Sequence, residues 1–224
     1  MKYNFSFGIK TFNRPDHLVN LVKSIRLYYD NPIYIIDDGN LNADLSLECF
    51  QGVYYERLPF DSGVSVGRNR LAEVILEEYF LLMDDDWEIT EKSNIHLMYR
   101  VISGLGLDIL GGQFIGIKGP NQYHGRLSEE NGELVLKRDF DIVSYRDDRV
   151  NSDYNVRILD ITSNFFMGKT KSVKSIGWTP RFKIGGEHID FFYRAKKMGM
   201  AVGQIRECIV TDAVKSVPIS KTYK

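Results

Sequence analysis

Cysteine is scarce in this chain of 224 residues, and long apolar runs are missing. The two cysteines, Cys49 and Cys208, are far apart and show no metal-ligand spacing, which favours a reduced, cytoplasmic protein and leaves a single disulfide open. No apolar run approaches the roughly 20 residues of a membrane span, and residues 1–10 lack the apolar stretch of a secretory signal. We therefore predict a soluble chain without a membrane span, either a whole protein or a domain of a longer one.

An excess of charge of either sign is also missing. The chain has 29 basic and 30 acidic residues and a net charge of -1, so no global field attracts nucleic acid or an anionic membrane. We therefore predict no nucleic-acid partner. The length and the hydrophobic fraction of 43% are those of one globular domain that buries roughly 70% of its unfolded surface.

Apolar segments of two kinds alternate along the first half of the chain. Short apolar runs such as Ile33 to Ile36 and Tyr79 to Met83 are typical of strands buried on both faces, and the segments between them have helical spacing. This alternation predicts an α/β fold with a mostly parallel central sheet flanked by helices. Later in the chain, Asn131-Gly132 is typical of a hairpin turn, and two late strands are expected at 201–205 and 208–210.

Three consecutive aspartates, Asp84, Asp85 and Asp86, follow the apolar run that ends at Met83. A parallel sheet binds ligands beyond the carboxyl ends of its strands, so these carboxylates are expected at the ligand-binding edge. Carboxylate oxygens suit Mg²⁺ or Mn²⁺, and Asp84 and Asp86 together with diphosphate oxygens are predicted to hold such a cation. A solvated turn or a helix cap is the alternative, but Thr90 already offers a cap for the next helix, which favours the metal site.

Two further polar segments are expected at the same edge. Asp37 and Asp38 end an apolar run, where a carboxylate can accept hydrogen bonds from a uracil or a ribose; the alternative is an Asp-Gly turn. The segment GVSVGRNR, residues 63–70, brings glycines for close backbone approach and Arg68 and Arg70 for a phosphate or a base. It lacks the pattern of a phosphate-binding P-loop, and a helix start with a solvated arginine is its alternative.

A glycine-rich segment late in the chain precedes a predicted helix. Residues 185–190 read GGEHID, and a lone carboxylate such as Asp190 is a candidate general base, whereas acidity that complements the helix dipole is the alternative. Glu187 and His188 do not form a zinc site, because no second histidine follows at the required spacing. Trp178 is a candidate for stacking on a sugar face, although most aromatic residues in a fold of this size belong to the core.

Taken together, these segments resemble the inverting glycosyltransferases with a GT-A fold, among them the catalytic domains of ganglioside-type β-1,4-N-acetylgalactosaminyltransferases and their bacterial and viral relatives. The resemblance runs from Phe5 to Asp212 and rests on the ordered segments IKTFNRP, IIDDG, GVSVGRNRL, FLLMDDDWEI, SNFFMGKT, IGW and GGEHIDFFYRAKKMG. It implies one GT-A domain over 1–224, with a nucleotide-binding half over 1–117 and an acceptor half over 118–214.

The resemblance also implies roles for individual residues. Asp84 and Asp86 match the metal-binding DxD pair, and Asp190 matches the general base that takes the proton of an acceptor hydroxyl while the anomeric configuration inverts. The donor is then a UDP-sugar, the cation is Mn²⁺ or Mg²⁺, and the acceptor is a glycan or a glycolipid. The residues implied in nucleotide-sugar binding are Thr11, Arg14, Asp37, Asp38, Gly67, Arg68, Asp84 and Asp85, and those on the acceptor side are Trp178, Glu187 and His188.

One departure from the family pattern concerns the cation. Relatives often supply a late histidine as a further metal ligand, whereas this chain reads Val210-Thr211-Asp212-Ala213, so Asp212 is the candidate replacement. Two other classes stay open: a non-catalytic nucleotide-sugar or carbohydrate-binding module, which needs the metal pair but no base, and a nucleotidyltransferase. The transferred sugar, the acceptor and the new linkage are not determined by the sequence.

Overall fold

The computed structural model describes residues 3–41, 47–116, 119–120 and 124–212, with the backbone alone for 119–120. Helices alternate with strands over the first half of this part of the chain, and strands predominate in the second half. The helices are α1 (Pro15–Arg26), α2 (Val64–Val74), α3 (Ile95–Leu105), α4 (Thr170–Ile176) and α5 (Glu187–Lys197). The strands are β1 (Phe5–Thr11), β2 (Ile33–Asp37), β3 (Val53–Arg57), β4 (Tyr79–Asp84), β5 (Trp87–Glu88), β6 (Ile109–Gly116), β7 (Gly119–Pro120), β8 (Arg126–Glu130), β9 (Glu133–Lys137), β10 (Asp141–Asp147), β11 (Ser152–Leu159), β12 (Phe166–Lys169) and β13 (Val202–Asp212).

One large sheet forms the centre of the domain. Its strand order is β10-β11-β13-β6-β12-β4-β1-β2-β3, with β5 paired to β13 and β7 paired to β6, while β8 and β9 form a separate hairpin. The neighbours β4, β1, β2 and β3 are parallel, as are β6 and β13, and β12 lies antiparallel between β4 and β6. This topology confirms the predicted α/β fold.

Helices cover both faces of this sheet because its central strands are apolar on both sides. The helices α1 and α3 pack on one face, in a cluster that includes Leu21 and Met98. The helices α2, α4 and α5 pack on the other face, in a cluster that includes Leu71 and Phe192. Parallel strands are normally covered in this way. In the described part of the chain, no helix is both long enough and apolar enough to cross a membrane.

The hairpin signal of the sequence is confirmed, and the helix-cap signal is wrong. Asn131 and Gly132 join β8 to β9 with φ angles of 52° and 82°, as a tight hairpin requires. Thr90 does not cap α3, because its hydroxyl accepts a hydrogen bond from the backbone N–H of Lys92 in a turn upstream. The cap is Asn94, whose side chain accepts from a backbone N–H in the first turn of α3 at 3.1 Å.

The end of the chain differs from the expectation of two late strands. A single strand, β13, runs from Val202 to Asp212, and its register against β6 shifts between Gln204 and Ile209. The irregularity accounts for the apparent break in the sequence pattern, because the alternation of side chains is interrupted there. The predicted boundary between the two halves, at 117–118, and Ala213 lie outside the described residues.

Candidate active site

The three aspartates lie where β4 ends, at the carboxyl edge of the parallel strands. The turn that follows β4 points their side chains in different directions. Asp85 is buried at 5% exposure, whereas the side chains of Asp84 and Asp86 are 37% and 41% exposed. Two carboxylates are therefore accessible to a ligand, and the one between them is turned into the protein.

Asp85 connects the end of β1 to the sheet edge that carries Asp84, Asp85 and Asp86, which we call the acidic edge. Its Oδ2 accepts a hydrogen bond from Thr11 Oγ1 at 2.6 Å, and its Oδ1 accepts one from Arg14 Nη1 at 3.0 Å. Burial raises the pKa of Asp85 to about 6, although the charge of Arg14 and the hydrogen bond from Thr11 act in the opposite direction. The structure thus brings these three predicted residues together, while the contact of Asp85 with a nucleotide-sugar stays a prediction.

Asp86 lies between a cationic side chain and further carboxylates. Its Oδ2 is 3.0 Å from Arg14 Nη1. Burial and the charge of Asp84 raise the pKa of Asp86, and the charge of Asp212 adds to the same effect. Asp212 reaches this edge because β13 pairs with β5, where Asp212 is the partner of Trp87. Three predicted metal ligands therefore share one edge of the sheet.

These carboxylates fit a divalent cation whose remaining ligands come from a phosphate. Among the residues that the structure describes, no group of three or more histidine, cysteine or acidic side chains is arranged to hold a metal by itself. Mg²⁺ and Mn²⁺ prefer oxygen ligands, and Mg²⁺ usually binds through one or two carboxylates plus substrate phosphates. Asp84 and Asp86 supply two exposed carboxylates of that kind, so a cation that binds with a diphosphate suits this edge.

Asp37, the last residue of β2, is 2% exposed. Its Oδ1 accepts a hydrogen bond from the backbone N–H of Gly39 at 2.7 Å, and its Oδ2 accepts one from the hydroxyl of Tyr55 at 2.5 Å. The carboxylate therefore shapes the loop after β2, in agreement with the Asp-Gly turn that the sequence left open. Its contact with a nucleoside stays a prediction.

Asp38 is fully buried and ties the β2 loop to two other elements. It forms an ion pair with Lys10 of β1 and accepts a hydrogen bond from the backbone N–H of Gly63, just before α2, at 2.6 Å. Gly67 of α2 makes the first contact possible, because a Cβ atom there would lie 2.6 Å from Cγ of Lys10. The stem of Lys10 lies against Gly67, and the contact of Gly67 with a nucleotide-sugar stays a prediction.

Arg68 joins the acidic edge to α5. It is 4% exposed, its Nη2 lies 3.2 Å from Oδ1 of Asp84, and its Nη1 lies 3.6 Å from Oε1 of Glu187. The guanidinium also lies over the ring of Trp178, with Cζ 5.9 Å from the ring centroid. Residues that the sequence assigned to the donor side and to the acceptor side therefore meet at one buried arginine.

Several buried polar atoms near Arg68 have no hydrogen-bond partner in the described part of the chain. They are Nη1 of Arg68, Oε2 of Glu187 and Oδ1 of Asn164. Asn164, from the segment SNFF, also reaches the acidic edge, with Nδ2 3.5 Å from Oδ2 of Asp84. Buried polar groups are normally hydrogen-bonded, so this set of donors and acceptors suits a hydroxyl-bearing ligand. Sequence reasoning quoted the SNFF segment and assigned Asn164 no role.

His188 is a buried, neutral histidine at the start of α5. Its Nε2–H donates to the carbonyl oxygen of Thr162 at 2.7 Å. Burial lowers the pKa of His188 to about 3, and the positive charge of Arg68 contributes to this shift. The side chain therefore anchors α5 to the segment that leads into β12. Its imidazole is neutral near neutral pH.

Asp190 lies one helical turn after Glu187 on α5, and its side chain is 21% exposed. Its Oδ2 accepts hydrogen bonds from Thr179 Oγ1 at 2.6 Å and from Arg194 Nε at 3.1 Å. Arg194 is itself fixed, because it also donates to the carbonyl oxygens of Ile176 and Gly177 at the end of α4. Both of these donors bind Oδ2, and the role of Asp190 as a general base stays a prediction. Sequence reasoning did not find Thr179 or Arg194.

Trp178 belongs to the core in this conformation. It is 3% exposed, its ring stacks on Phe191 at 4.4 Å, and its backbone N–H and carbonyl are both bonded to the side chain of Asn69 in α2. The tryptophan therefore holds the loop that carries Thr179 against α2. Its contact with an acceptor sugar stays a prediction.

A sheet covered on both faces, with an acidic pair after a central parallel strand and a carboxylate-bearing helix beside it, is the GT-A arrangement of nucleotide-sugar transferases. The sequence agrees with this class, because the model of glycosyl transferase family 2 matches residues 6–177. The chain belongs to that family. This finding confirms the predicted family resemblance.

Two animal transferases are similar to this chain in sequence. "Beta-1,4 N-acetylgalactosaminyltransferase 1" of Mus musculus is 27% identical over 230 residues, which cover 100% of this chain and 42% of the mouse protein. "Beta-1,4 N-acetylgalactosaminyltransferase 2" of Mus musculus is 28% identical over 232 residues, which cover 97% of this chain and 42% of that protein. The chain thus spans less than half of the length of these relatives.

Two solved structures share the fold. GalNAc-T7 with UDP, GalNAc and Mn²⁺ matches with a TM-score of 0.66 and 14% identity, over 95% of this chain and 44% of that chain. S. aureus TarS 1-349 matches with a TM-score of 0.64 and 16% identity, over 94% of this chain and 60% of that chain. At such low identities the likeness concerns the fold alone, and it confirms the predicted GT-A class.

Proposed function

We propose that this domain is an inverting glycosyltransferase that moves a sugar from UDP to a hydroxyl group of a glycan or a glycolipid. The observation that carries the proposal is the buried Arg68, which connects Asp84 of the acidic edge to Glu187 of α5. A donor held at the acidic edge then has its sugar beside α5, where Asp190 lies one turn further along.

The donor site is assigned to the carboxyl ends of β1, β2 and β4. Thr11 and Arg14 lie next to the aspartates, and the loop containing Asp37 and Asp38 lies beside them because β1 pairs with β2. Asp84 and Asp86, with Asp212 near them, would hold Mn²⁺ or Mg²⁺. When bound, the cation would neutralise the diphosphate that leaves with UDP.

The identity of the transferred sugar is inferred from the relatives. Two of them carry N-acetylgalactosaminyltransferase in their names, and one structural neighbour was solved with UDP, GalNAc and Mn²⁺. UDP-N-acetylgalactosamine is therefore the first donor to test. The unpartnered atoms of Arg68, Glu187 and Asn164 support a sugar beside the diphosphate, since sugar hydroxyls both donate and accept hydrogen bonds.

The reaction assigned to Asp190 is proton abstraction. An acceptor hydroxyl bound at Oδ1 gives its proton to the carboxylate as its oxygen attacks the anomeric carbon from the side opposite UDP. Thr179 and Arg194 keep Oδ2 fixed, so Oδ1 has a defined direction. The bond from the anomeric carbon to UDP breaks, the new glycosidic bond forms on the other face, and the configuration inverts.

A donor panel tests this proposal. UDP-, GDP- and dTDP-sugars are offered to the wild-type protein with Mn²⁺ or with a chelator, and both binding and release of the nucleotide are measured. The same assays on Asp190→Ala separate an enzyme from a binding module. We expect Mn²⁺-dependent UDP-sugar binding in both proteins and turnover in the wild type alone.

Two results would contradict the proposal. If no nucleotide-sugar binds to the wild-type protein, the donor site is wrong. If UDP binds but Asp190→Ala leaves every turnover unchanged, Asp190 is not the base and a nucleotide-sugar-binding module is favoured.

A further inference from the structure

A loop without regular secondary structure connects α4 to α5 and carries two residues of the candidate site, Trp178 and Thr179. We call residues 177–186 the α4–α5 loop. It ends with Gly185 and Gly186, which have positive φ angles of 79° and 83°. Glycine has more conformational freedom than any other residue, so this end of the loop contributes little stiffness of its own. The position of the loop therefore depends on its contacts with the neighbouring helices.

Asn69 of α2 is paired with the backbone of this loop through both polar atoms of its side chain. Its Nδ2 donates to the carbonyl oxygen of Trp178 at 2.8 Å, and its Oδ1 accepts from the backbone N–H of Trp178 at 2.7 Å. The amide thus meets the N–H and the C=O of one residue, as the opposite residue of a hydrogen-bonded antiparallel pair does. A side chain in this place needs one donor and one acceptor, which an aspartate or a leucine does not supply.

Two further contacts attach the same loop to α2. Oγ of Ser65 donates to the carbonyl oxygen of Phe182 at 2.7 Å, and the backbone N–H of Val64 donates to the carbonyl oxygen of Lys183 at 2.9 Å. Ser65 and Asn69 are four residues apart, so they lie on one face of the helix. This face of α2 therefore supports the α4–α5 loop near its start, through Asn69, and near its end, through Ser65.

The residue that follows Trp178 makes the contact with the candidate base. Oγ1 of Thr179 donates to Oδ2 of Asp190 at 2.6 Å, and Arg194 donates both to that oxygen and to the carbonyl oxygen of Gly177. A shift of the loop by about 1 Å would lengthen the contact of Thr179 to about 3.6 Å, which is no longer a hydrogen bond. The orientation of the Asp190 carboxylate therefore depends on where the loop places Thr179.

Asn69 is also the neighbour of Arg68 on α2, and the two side chains have different partners. Successive residues of a helix are about 100° apart around its axis. Arg68 contacts Asp84 of the acidic edge and Glu187 of α5, whereas Asn69 contacts the backbone of the α4–α5 loop. The helix α2 is therefore the element that connects the acidic edge with the loop beside Asp190.

We propose that Asn69 is a positioning residue, which fixes the α4–α5 loop so that Thr179 holds the carboxylate of Asp190 in place for proton transfer. Asn69 acts through the backbone of Trp178 and not through a contact with the reacting atoms. The inference rests on the proposed function, because it takes Asp190 as the general base. It adds to that function a residue of α2 that controls the rate of the chemical step without binding the nucleotide.

Hydrogen exchange and turnover of matched asparagine variants test this assignment. Asn69→Ala removes both hydrogen bonds to Trp178, and Asn69→Asp keeps an acceptor for its N–H but supplies no donor for its carbonyl oxygen. Asn31→Ala is the control, because Nδ2 of Asn31 donates to the carbonyl oxygen of Phe5 at 2.9 Å, at the start of β1 rather than at its carboxyl end. For each protein we measure backbone hydrogen exchange by mass spectrometry, the affinity for UDP with Mn²⁺, and the rate of UDP release from UDP-N-acetylgalactosamine.

We expect the amide hydrogens of residues 179–186 to exchange at least about tenfold faster in Asn69→Ala than in the wild type, because the loop then opens locally. The kcat for UDP release should fall at least about tenfold, since a small misplacement of a catalytic group is costly, while the affinity for UDP stays the same. Asn31→Ala should change neither quantity. In an Asp190→Ala background, Asn69→Ala should lower the remaining rate by less than about twofold, because residues that act through one another do not have additive effects.

A wild-type kcat in Asn69→Ala, or exchange of residues 179–186 at the wild-type rate, would overturn the inference. If Asn69→Ala does not fold, Asn69→Asp carries the same expectations. Equal losses of rate in the wild-type and Asp190→Ala backgrounds would also overturn it, because Asn69 would then act on the stability of the fold and not through Asp190. Failure of the proposed function is a different result, since the wild type would then release no UDP while the loop of Asn69→Ala still exchanged faster.

Discussion

Nη2 of Arg68 lies 3.2 Å from Oδ1 of Asp84, and Arg68 is almost completely buried. This arginine is the internal counter-ion of the first aspartate of the acidic edge, and its Nη1 faces Glu187 at 3.6 Å. A buried cation placed between two carboxylates holds β4, α2 and α5 in fixed positions relative to one another. This side chain therefore connects the acidic edge to the helix that carries Asp190.

Replacing Arg68 by methionine should destabilise the protein by about 3 kcal/mol, because it leaves the half-buried Glu187 and Asp84 without their cation. The free energy of unfolding in urea measures the effect. Arg70→Met is the matched control on the same helix, since Arg70 pairs with Glu56 and Glu73 in solvent, and we expect little change from it. Equal effects of the two substitutions would show that the buried ion pairs of Arg68 contribute no more to the free energy of unfolding than the exposed pairs of Arg70.

Thr179 tests how Asp190 is held. Thr179→Val removes the hydroxyl that donates to Oδ2 at 2.6 Å and keeps the shape of the side chain. We expect kcat to fall about tenfold with little change in the KM of the donor, since one hydrogen bond to a charged group is lost. Thr179→Ser should restore the rate, and a valine variant with the wild-type kcat would mean that the orientation of Asp190 is set elsewhere.

His188 predicts how the stability depends on pH. Its folded pKa of about 3 is below the ordinary value of 6.5, so the unfolded chain binds a proton that the folded chain does not. The stabilisation that results from this pKa difference is fully present above pH 6.5 and is lost as the pH falls toward 3. When the pH is lowered from 7 to 5, the free energy of unfolding should fall by about 2 kcal/mol because of this residue. His188→Gln should remove that part of the pH dependence in urea titrations, and an unchanged slope would contradict it.

Gly67 offers a test of packing beneath the ion pair between Lys10 and Asp38. Alanine normally stabilises a helix by about 1 kcal/mol relative to glycine, but a Cβ atom at position 67 would lie 2.6 Å from Cγ of Lys10. We expect Gly67→Ala to lose about 1 kcal/mol overall, because overpacking costs roughly 1–3 kcal/mol. In a Lys10→Ala background the same substitution should become stabilising. If it stabilises both backgrounds equally, Lys10 does not pack against Gly67.

The sequence is sufficient for the fold because its strongest signals are local. Ile33 to Ile36 and Tyr79 to Met83 are apolar without interruption, which indicates strands buried on both faces, and they form β2 and most of β4. The assignment of Asp84 to Asp86 to a ligand site then follows from the rule that ligands bind beyond the carboxyl ends of such strands. Neither inference needs a long-range contact.

The parts that the sequence does not reveal are contacts between distant segments. Asn164 is 80 residues from Asp84 along the chain, and Arg68 is more than 100 residues from Glu187. Nothing in the local pattern of SNFF or GVSVGRNR indicates that these side chains meet.

The measurement that tests the central claim most directly is a calorimetric titration of UDP into the protein with Mn²⁺ present. Asp86→Asn removes one exposed carboxylate of the acidic edge, and Asp148→Asn is the control, because that aspartate is 91% exposed and lies near Arg146, away from this edge. We predict that UDP binds the wild type and Asp148→Asn alike and binds Asp86→Asn at least about tenfold more weakly, a loss of roughly 1.4 kcal/mol. Absence of UDP binding to the wild type, or equal binding to Asp86→Asn, would contradict the assignment of this edge as the donor site.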